Sequence, residues 1–164
     1  MTEPTRKLAA IVFTDIVGFT SITAKSQSKA SDLLKVQRET LKPIVEKYNG
    51  IWIKEMGDGL LLIFDTVTDA VKCSIEIQEV AKSIELLKLR IGIHQGEILL
   101  ENDDVIGDDV NIASRLEPFA APGGIAISNK VNDTLIREDE FKTKLIGKPK
   151  LKGVGQRVEV YCIT

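Results

Sequence analysis

The sequence is poor in the residues on which much metal and covalent catalysis depends. It contains one histidine, His94, and two cysteines, Cys73 and Cys162, among 164 residues. A single histidine excludes a multi-histidine metal site within one chain and argues against Ser-His-Asp chemistry. The cysteines lie far apart in different kinds of predicted element, which indicates free thiols in a reducing compartment rather than a disulfide framework.

An excess of one charge and long apolar runs are also missing. Lys and Arg number 22 against 24 Asp and Glu, so the net charge is -2 and there is no basic excess to bind nucleic acid. The longest apolar runs, such as LLLIF at 60–64, are too short to span a bilayer. The N-terminal apolar run reaches Asp15 too soon for a signal peptide, and no small-residue cleavage site follows it. We therefore expect a cytoplasmic protein with no membrane span in this chain.

The composition is that of a globular protein, with 43% hydrophobic and 28% charged residues. There is no repeat, low-complexity tract or Gly/Ser-rich linker. We expect one domain over residues 1–164, with a core from about residue 7 to residue 161.

Predicted strands and helices alternate along the chain. Lys7 to Asp15 is a short apolar run that predicts a buried strand, and apolar spacing from Ser28 to Tyr48 predicts a helix. Pro43 is expected to interrupt or kink that helix, and Asn49-Gly50 to end it. The later predicted elements are strands in GIWIKEM and LLLIF joined by a GDG turn, a helix over 67–81, a strand in LKLRIGIHQGEILL broken at Gly96, a helix from Asp108 to Phe119, a strand in GGIAIS, and closing strands in FKTKLI and QRVEVYCI.

This order predicts an α+β fold with a ferredoxin-like βαββαβ core and additional C-terminal strands and helix. The antiparallel hairpin in the middle argues against a doubly wound Rossmann sheet. The first strand is also not followed by GxGxxG, the dinucleotide-binding fingerprint.

FTDIVGFTS (Phe13 to Ser21) is the first segment that could carry chemistry. Asp15 ends a strand, and a glycine-containing turn leads into a helix start. Free backbone N–H groups at a helix N-terminus suit phosphate oxygens, and an acid before them could hold a divalent metal. The alternative is an ordinary strand-to-helix turn capped by Asp15 or Thr20.

The second acid is Asp58, which lies between two glycines in the hairpin turn. By itself it indicates a plain hairpin. In a βαββαβ sheet, however, the hairpin neighbours the first strand, so Asp15 and Asp58 could meet. Two carboxylates in one site need a cation or a proton between them. A pair of Mg²⁺ ions about 4 Å apart, held by such acids, is a common device for phosphoryl chemistry.

Two further segments could contact phosphate. In DVIGDDVNIASRLE (Asp104 to Glu117), Asn111 and Arg115 are four residues apart and share a helix face. Arginine can clamp a phosphate and an amide can orient a ribose, but an exposed polar face with an Arg–Glu pair is equally ordinary. Lys152 lies in the glycine-rich turn LKGVG, where it could grip phosphate or be a plain surface lysine.

Three motifs together resemble the catalytic domain of class III adenylyl/guanylyl cyclases. They are F-T-D-I-x-G-F-T, K-x-x-G-D-G and D-x-x-G-D-x-V-N-x-A-S-R-L-E, in that order, and the resemblance extends from about Lys7 to Tyr161. The resemblance implies that Asp15 and Asp58, with Ile16, hold two Mg²⁺ or Mn²⁺ ions. It also implies that the triphosphate is wrapped by the backbone of Ile16, Val17, Gly18, Phe19 and Thr20.

The resemblance further implies which residues read the base. Lys54 matches a lysine that donates to adenine N1, and Asp104 an acid that accepts from the N6 amino group. Guanylyl cyclases typically have Glu and Cys at these two positions, so the resemblance favours ATP over GTP. Asp103 is adjacent to Asp104, and a local slip in the alignment would exchange them.

The remaining implied roles concern the ribose and phosphates. Asn111 is expected to orient the ribose, Arg115 to stabilise developing charge, and Lys152 to grip the triphosphate. Members of the family act as head-to-tail dimers, in which the metal aspartates come from one subunit and the base-reading pair, the Asn and the Arg from the other. A homodimer would then carry two equivalent sites.

The implied reaction converts ATP to 3′,5′-cyclic AMP and pyrophosphate. The alternatives are a non-catalytic cyclase-like nucleotide-binding or dimerisation module, and a cyclase that accepts GTP. If these residues are the whole protein, regulation is expected through dimerisation, metal or a partner; if they are an excised domain, the regulatory domain or partner lies outside them.

Overall fold

A computed structural model describes residues 4–155 and 157–164. Its centre is an eight-stranded sheet whose first half runs in the order β2-β3-β1-β4. These strands are β1 (Thr5–Ile16), β2 (Ile51–Met56), β3 (Gly59–Phe64) and β4 (Leu89–Glu101), and each neighbouring pair is antiparallel. This half, with its helices, confirms the predicted ferredoxin-like βαββαβ core.

The second half of the sheet extends from β4. A short β5 (Asp104–Ile106) pairs with the end of β4, and β6 (Ile125–Ser128) joins β4 in parallel. The closing strands β7 (Thr143–Gly147) and β8 (Val160–Ile163) pair as predicted. Gln156, at the start of the predicted last strand, lies outside the described residues.

Helices cover both faces of the sheet. They are α1 (Phe19–Lys25), α2 (Gln27–Lys47), α3 (Val67–Ala81), α4 (Asp108–Leu116), which continues into a single 3-10 turn (Glu117–Phe119), and α5 (Asn129–Leu135). The sequence pattern predicted α2, α3 and α4, only the start of α1, and the existence but not the position of α5. None of the helices in the described part of the chain is both long and apolar enough to cross a membrane.

The predicted interruption of α2 at Pro43 was wrong, because the helix runs through it to Lys47. Pro43 is exposed, while Leu41, Ile44 and Val45 around it are buried against the sheet. Packing of these apolar residues offsets the loss of one backbone hydrogen bond in an exposed turn.

The side chains of β1 point alternately to the two covered faces of the sheet, and this explains why its apolar run is continuous. Ala10 and Val12 pack in the core that includes α2 and α3, whereas Ala9 and Ile11 pack in the core that includes α4. Successive strand side chains point to opposite faces, so a strand covered on both faces is apolar at every position.

The predicted break at Gly96 was also wrong. β4 is continuous there, and Gly96 pairs with Ala9 of β1. A Cβ on Gly96 would collide with the carboxylate of Asp109, and one on Gly92 would lie 2.5 Å from the backbone N of Glu117. Both glycines therefore provide space for α4 to lie directly on the sheet.

The two contacts also fix the direction of α4. Asp109 and Glu117 are separated by about 12 Å of helix, and Gly96 and Gly92 by about 13 Å of strand. These lengths match, so α4 runs antiparallel along β4. Its inner face includes buried Val110 and Ala113, whereas Asn111 and Arg115 are exposed.

Candidate active site

The hairpin aspartate is attached to the end of the first strand. Asp58 Oδ2 accepts a hydrogen bond from the backbone N–H of Ile16 at 2.8 Å. β3 follows at once and pairs with β1, and a Cβ on Gly59 would lie only 3.1 Å from the carbonyl oxygen of Thr14. The absence of a side chain at Gly59 thus lets β3 approach β1 closely. The Asp58 carboxylate lies next to Ile16, the residue that follows Asp15 in β1.

Asp15 lies half-buried at this strand end. Its Oδ1 atom is buried and receives no hydrogen bond from the described residues. Glu117, only 5% exposed, lies next to Asp15. Burial, together with the neighbouring Asp15, raises the pKa of the Glu117 carboxyl group well above its ordinary value.

Glu117 has no role among those that the sequence motifs predict. The only signal for it was that it closes the long third motif, one residue before Pro118. Glu117 is buried next to Asp15 because the end of α4 packs directly over Gly92. The local sequence does not reveal this contact. Glu117 adds a third acid to a site predicted to contain two.

The residues present fit a pair of hard divalent cations. Asp15 and Asp58 supply two carboxylates, and one buried carboxylate oxygen has no other partner. The described residues contain no cluster of three or more His, Cys, Asp or Glu side chains placed to cage a metal. Two carboxylates suit Mg²⁺ or Mn²⁺, which keep waters and take substrate phosphates as further ligands. Ile16 could add only its backbone carbonyl oxygen, because its hydrocarbon side chain contains no atom that binds a metal.

The segment after Asp15 leaves backbone N–H groups uncapped. Gly18 has φ of +75° and precedes α1, and no side chain caps this helix, so capping by Asp15 or Thr20 is not observed. The Ile16 N–H already bonds Asp58, and the Val17 N–H donates to Lys88 O at 2.7 Å. Of the five predicted phosphate-wrapping residues, Gly18, Phe19 and Thr20 are those whose N–H groups have no such bond in the described structure.

A β-bulge determines where Lys54 points. Trp52 pairs with Leu62 and Lys54 with Leu61, so Ile53 is an extra residue in β2. Regular alternation would place Lys54 on the same side as Trp52, beneath α2. The bulge instead places Lys54 on the face of Leu61, which is covered by α4.

On this face Lys54 pairs with Asp104. Its Nζ atom lies 3.0 Å from Oδ1 and 3.1 Å from Oδ2 of Asp104, and both side chains remain more than 40% exposed. Hydrogen bonds from Lys54 and from the Val105 N–H hold the pKa of Asp104 below its ordinary value. Asp103 is exposed, with φ of +62°, in the turn after Asn102. The structure therefore places Asp104, rather than Asp103, opposite Lys54.

A cavity of about 520 Å³ lies beside this pair. Phe13, Lys54, Asp104 and Asn111 are among its lining residues, and the volume is within the range of small-ligand pockets. A second cavity of about 470 Å³ is lined by Asn111 and by the glycine-rich turn at 153–155. Asn111 thus borders both cavities.

The two predicted phosphate-binding cations are adjacent. Arg115 Nε donates to the backbone oxygen of Lys152 at 3.2 Å, and both residues are exposed. α4 therefore presents Arg115 next to the turn that carries Lys152. The side chains of the two residues remain available to an anion.

Within one chain the predicted residues form two groups. Asp15, Asp58 and the turn at 16–20 gather at the end of β1. Lys54, Asp104 and Asn111 line the α4 cavity, and neither metal-binding candidate is among the residues of that cavity. In the described part of the chain, each group is brought together at its own place, and the cavity beside Lys54 is not lined by Asp15 or Asp58.

The comparisons with known proteins agree with this geometry. Residues 2–164 match the family model for the adenylate and guanylate cyclase catalytic domain. A crystal structure of an adenylate/guanylate cyclase/hydrolase from Silicibacter pomeroyi superposes with a TM-score of 0.90 at 30% identity, covering 99% of each chain. The protein therefore belongs to the adenylate and guanylate cyclase catalytic domain family.

Curated relatives include cyclases named for either nucleotide. A putative adenylate cyclase 3 from Rhizobium meliloti is 30% identical over 164 residues, covering 95% of this chain. A receptor-type guanylate cyclase from Caenorhabditis elegans is 28% identical over 169 residues, covering 90% of this chain. The chain spans 28% and 13% of the lengths of these two relatives.

Proposed function

We propose that the chain is an adenylyl cyclase that converts ATP to 3′,5′-cyclic AMP and pyrophosphate. The observation that carries the choice of nucleotide is the ion pair between Lys54 and Asp104 beside an open cavity. A lysine N–H can donate to adenine N1, and a carboxylate can accept from the N6 amino group. Guanine presents the opposite donor and acceptor pattern, so it would leave the Lys54 ammonium and the Asp104 carboxylate without matching partners on the base.

The phosphate chemistry is assigned to the residues at the end of β1 and on α4. Asp15 and Asp58, with the Ile16 backbone, would hold two Mg²⁺ or Mn²⁺ ions, which when bound lower the pKa of the ribose 3′-hydroxyl and neutralise phosphate charge. Asn111 orients the ribose so that its 3′-oxygen faces the α-phosphorus. Asp15 or water accepts the hydroxyl proton.

Cationic side chains stabilise the charge that develops as pyrophosphate leaves. Arg115 and Lys152 lie side by side, and both are exposed. Preorganised cations next to a transferring phosphoryl group stabilise the transition state more than the ground state. The uncapped N–H groups of the turn at 16–20 add donors for the triphosphate.

The active site is proposed to form between two copies of the chain. Among the described residues, Asp15 and Asp58 lie outside the cavity that is lined by the nucleoside-binding group. A head-to-tail homodimer would join the first group of each copy to the second group of the other, giving two equivalent sites. The domain over 1–164 would carry the whole set, in the cytoplasm where ATP is available, with regulation supplied by another domain or partner.

Product formation from ATP and from GTP, each with Mg²⁺ and with Mn²⁺, tests the proposal. The assay should cover a wide range of protein concentration, with the dimer fraction measured in parallel. We expect cyclic AMP, with specific activity rising as the dimer forms. Absence of any cyclic nucleotide at concentrations where the chain is dimeric would leave the alternative of a non-catalytic nucleotide-binding module.

A cyclase that accepts GTP is the second candidate. The specific observation in its favour is that relatives of similar identity are named as adenylate and as guanylate cyclases. Equal turnover of the two nucleotides would support it.

A further inference from the structure

A buried chain of hydrogen bonds joins β6, β4 and α4. His94 Nδ1 lies 2.7 Å from Ser128 Oγ, and His94 Nε2 lies 2.8 Å from Asp109 Oδ1. Ser128 Oγ also accepts from the Val131 N–H at 3.4 Å, and Asp109 Oδ2 from the Glu97 N–H at 3.2 Å. The side chains of His94 and Asp109 are 3% and 19% exposed.

The partners determine the tautomer of His94. A carboxylate can only accept, so Nε2 carries the proton that binds Asp109. In the neutral ring Nδ1 is then an acceptor, and the Ser128 hydroxyl donates to it while accepting from Val131. In this state every donor and acceptor of the hydrogen-bonded network of Ser128, His94 and Asp109 has a partner. A protonated ring would donate from Nδ1 as well, leaving the buried Ser128 proton without an acceptor.

The same three residue types form hydrolytic triads elsewhere, but this arrangement does not. Ser128 is fully buried at the end of β6, and its hydroxyl caps α5. It has no access to a substrate, so it cannot act as a nucleophile. The network must act through the elements that it joins.

The hydrogen-bonded network ends at α4, the helix that carries Asn111 and Arg115. Asp109 lies in the first turn of α4 and sits over Gly96 of β4 without space for a Cβ between them. His94 is two residues from Gly96 on the same strand face, so it ties Asp109 to the strand that supports the helix. The contact fixes both the height and the rotation of the first turn of α4.

We infer that His94 and Asp109 are positioning residues, whose hydrogen bond seats α4 so that Asn111 and Arg115 face the nucleotide. The catalytic part of this inference rests on the proposed cyclase function. A misplacement of about 1 Å in a positioned group can cost on the order of 100-fold in rate. Loss of this hydrogen bond should therefore lower kcat more than it weakens nucleotide binding.

Matched variants of His94 separate the Asp109 contact from the rest of the network. The amide nitrogen of H94Q can take the place of Nε2 and still donate to Asp109, whereas the shorter H94N reaches only toward Ser128. D109A removes the acceptor itself, and D32N, on an exposed part of α2, controls for the loss of one negative charge. Each variant is first checked for folding by circular dichroism and thermal unfolding.

We expect D109A and H94N to lower kcat about 10- to 100-fold, while H94Q stays within a few-fold of the wild type. The ATP-to-GTP preference should not change, because Lys54 and Asp104 are not on α4. Hydrogen exchange of the α4 amides should be faster in D109A and H94N than in the wild type, H94Q or D32N. This second readout does not need catalysis.

Folded D109A and H94N with wild-type kcat and wild-type exchange in α4 would overturn the inference. Equal losses in H94Q and H94N would also overturn it, because the Asp109 contact would then not be the cause. An inactive wild type would refute the cyclase proposal alone, since the exchange of α4 would still show whether the pair seats the helix.

Discussion

Lys54 and Asp58 lie four residues apart on one hairpin, yet they face different parts of the molecule. Lys54 reaches Asp104 on the face covered by α4, and Asp58 bonds the Ile16 N–H at the end of β1. The bulge at Ile53 places Lys54 on the α4 face, and the turn that follows directs Asp58 away from it. One hairpin thus presents the proposed base-reading lysine and the proposed metal-binding aspartate to two separate parts of the molecule.

This separation predicts that two inactive variants can rescue each other. D58N removes a proposed metal ligand, and R115A removes a proposed phosphate-binding cation. If each site combines the two groups from different copies, a mixed dimer has one doubly damaged site and one intact site. An equal mixture should recover up to about a quarter of wild-type activity, because about half of the dimers are mixed. Activity is measured before and after mixing, with each variant alone as the control. A mixture that stays inactive, although exchange of subunits is demonstrated, would contradict a shared site.

D58N should also separate metal binding from folding. The asparagine side chain keeps an oxygen that can accept from the Ile16 N–H, so the hairpin should remain attached to β1. The charge is lost, and we expect at least a 100-fold fall in activity with little change in the melting temperature. Thermal unfolding with and without Mn²⁺ and a non-cyclisable ATP analogue provides the measurement. The stabilisation that ligands give to the wild type should be absent from D58N.

The pair Lys54 and Asp104 should decide the choice of nucleotide. K54E together with D104C should lower kcat/KM for ATP by at least 100-fold and raise it for GTP, because the donors and acceptors of the two bases are reversed. K35A, an exposed lysine on α2, is the control for loss of one positive charge. An unchanged ATP-to-GTP ratio in the folded double variant would show that other groups read the base.

Gly96 should tolerate no side chain. In G96A the new Cβ would collide with Asp109, so either α4 moves or β4 distorts. We expect a loss of about 1–3 kcal/mol in the free energy of unfolding, together with lower activity. G147A is the matched control, because Gly147 also lies in a strand and a Cβ there would meet nothing within 4 Å. Equal stability of the two variants, measured by urea unfolding, would contradict a tight seat for α4.

The stability of the fold should depend on pH through His94. Burial is the main cause that lowers the pKa of His94 from its ordinary 6.5, with Lys130 acting in the same direction and Asp109 opposing them. Below pH 6.5 the unfolded chain takes up a proton that the folded chain does not. The free energy of unfolding should therefore hold above pH 6.5 and fall as the pH drops from 6.5 toward the lowered pKa of the folded state. In H94Q this contribution is absent, so the difference between wild type and H94Q should shrink or reverse across that window. If the difference in the free energy of unfolding between wild type and H94Q did not vary with pH, this would contradict the conclusion that His94 is buried in its neutral form.

The fold could be predicted from the sequence because the spacing of apolar residues within each segment agrees with the helix or strand that the segment forms. Apolar spacing over 67–81 predicted α3 with its observed ends, and the strand order predicted the ferredoxin-like core. The errors at Pro43 and Gly96 have a common reason. Both residues disfavour regular structure by themselves, but tertiary packing overrides that preference in α2 and makes Gly96 necessary in β4.

The types and order of the residues were enough to indicate the candidate site. Its motifs identified Asp15, Asp58, Lys54, Asn111 and Arg115 as candidates, and the family comparison agrees with that resemblance. The faces that these residues occupy follow from contacts in the folded chain. The bulge that directs Lys54, the pairing of Asp104 rather than Asp103, and the burial of Glu117 against Asp15 all depend on contacts between distant segments. Spacing along the chain specifies neighbours within a helix or strand, whereas a contact across the sheet depends on strand register and on which glycines leave space for α4.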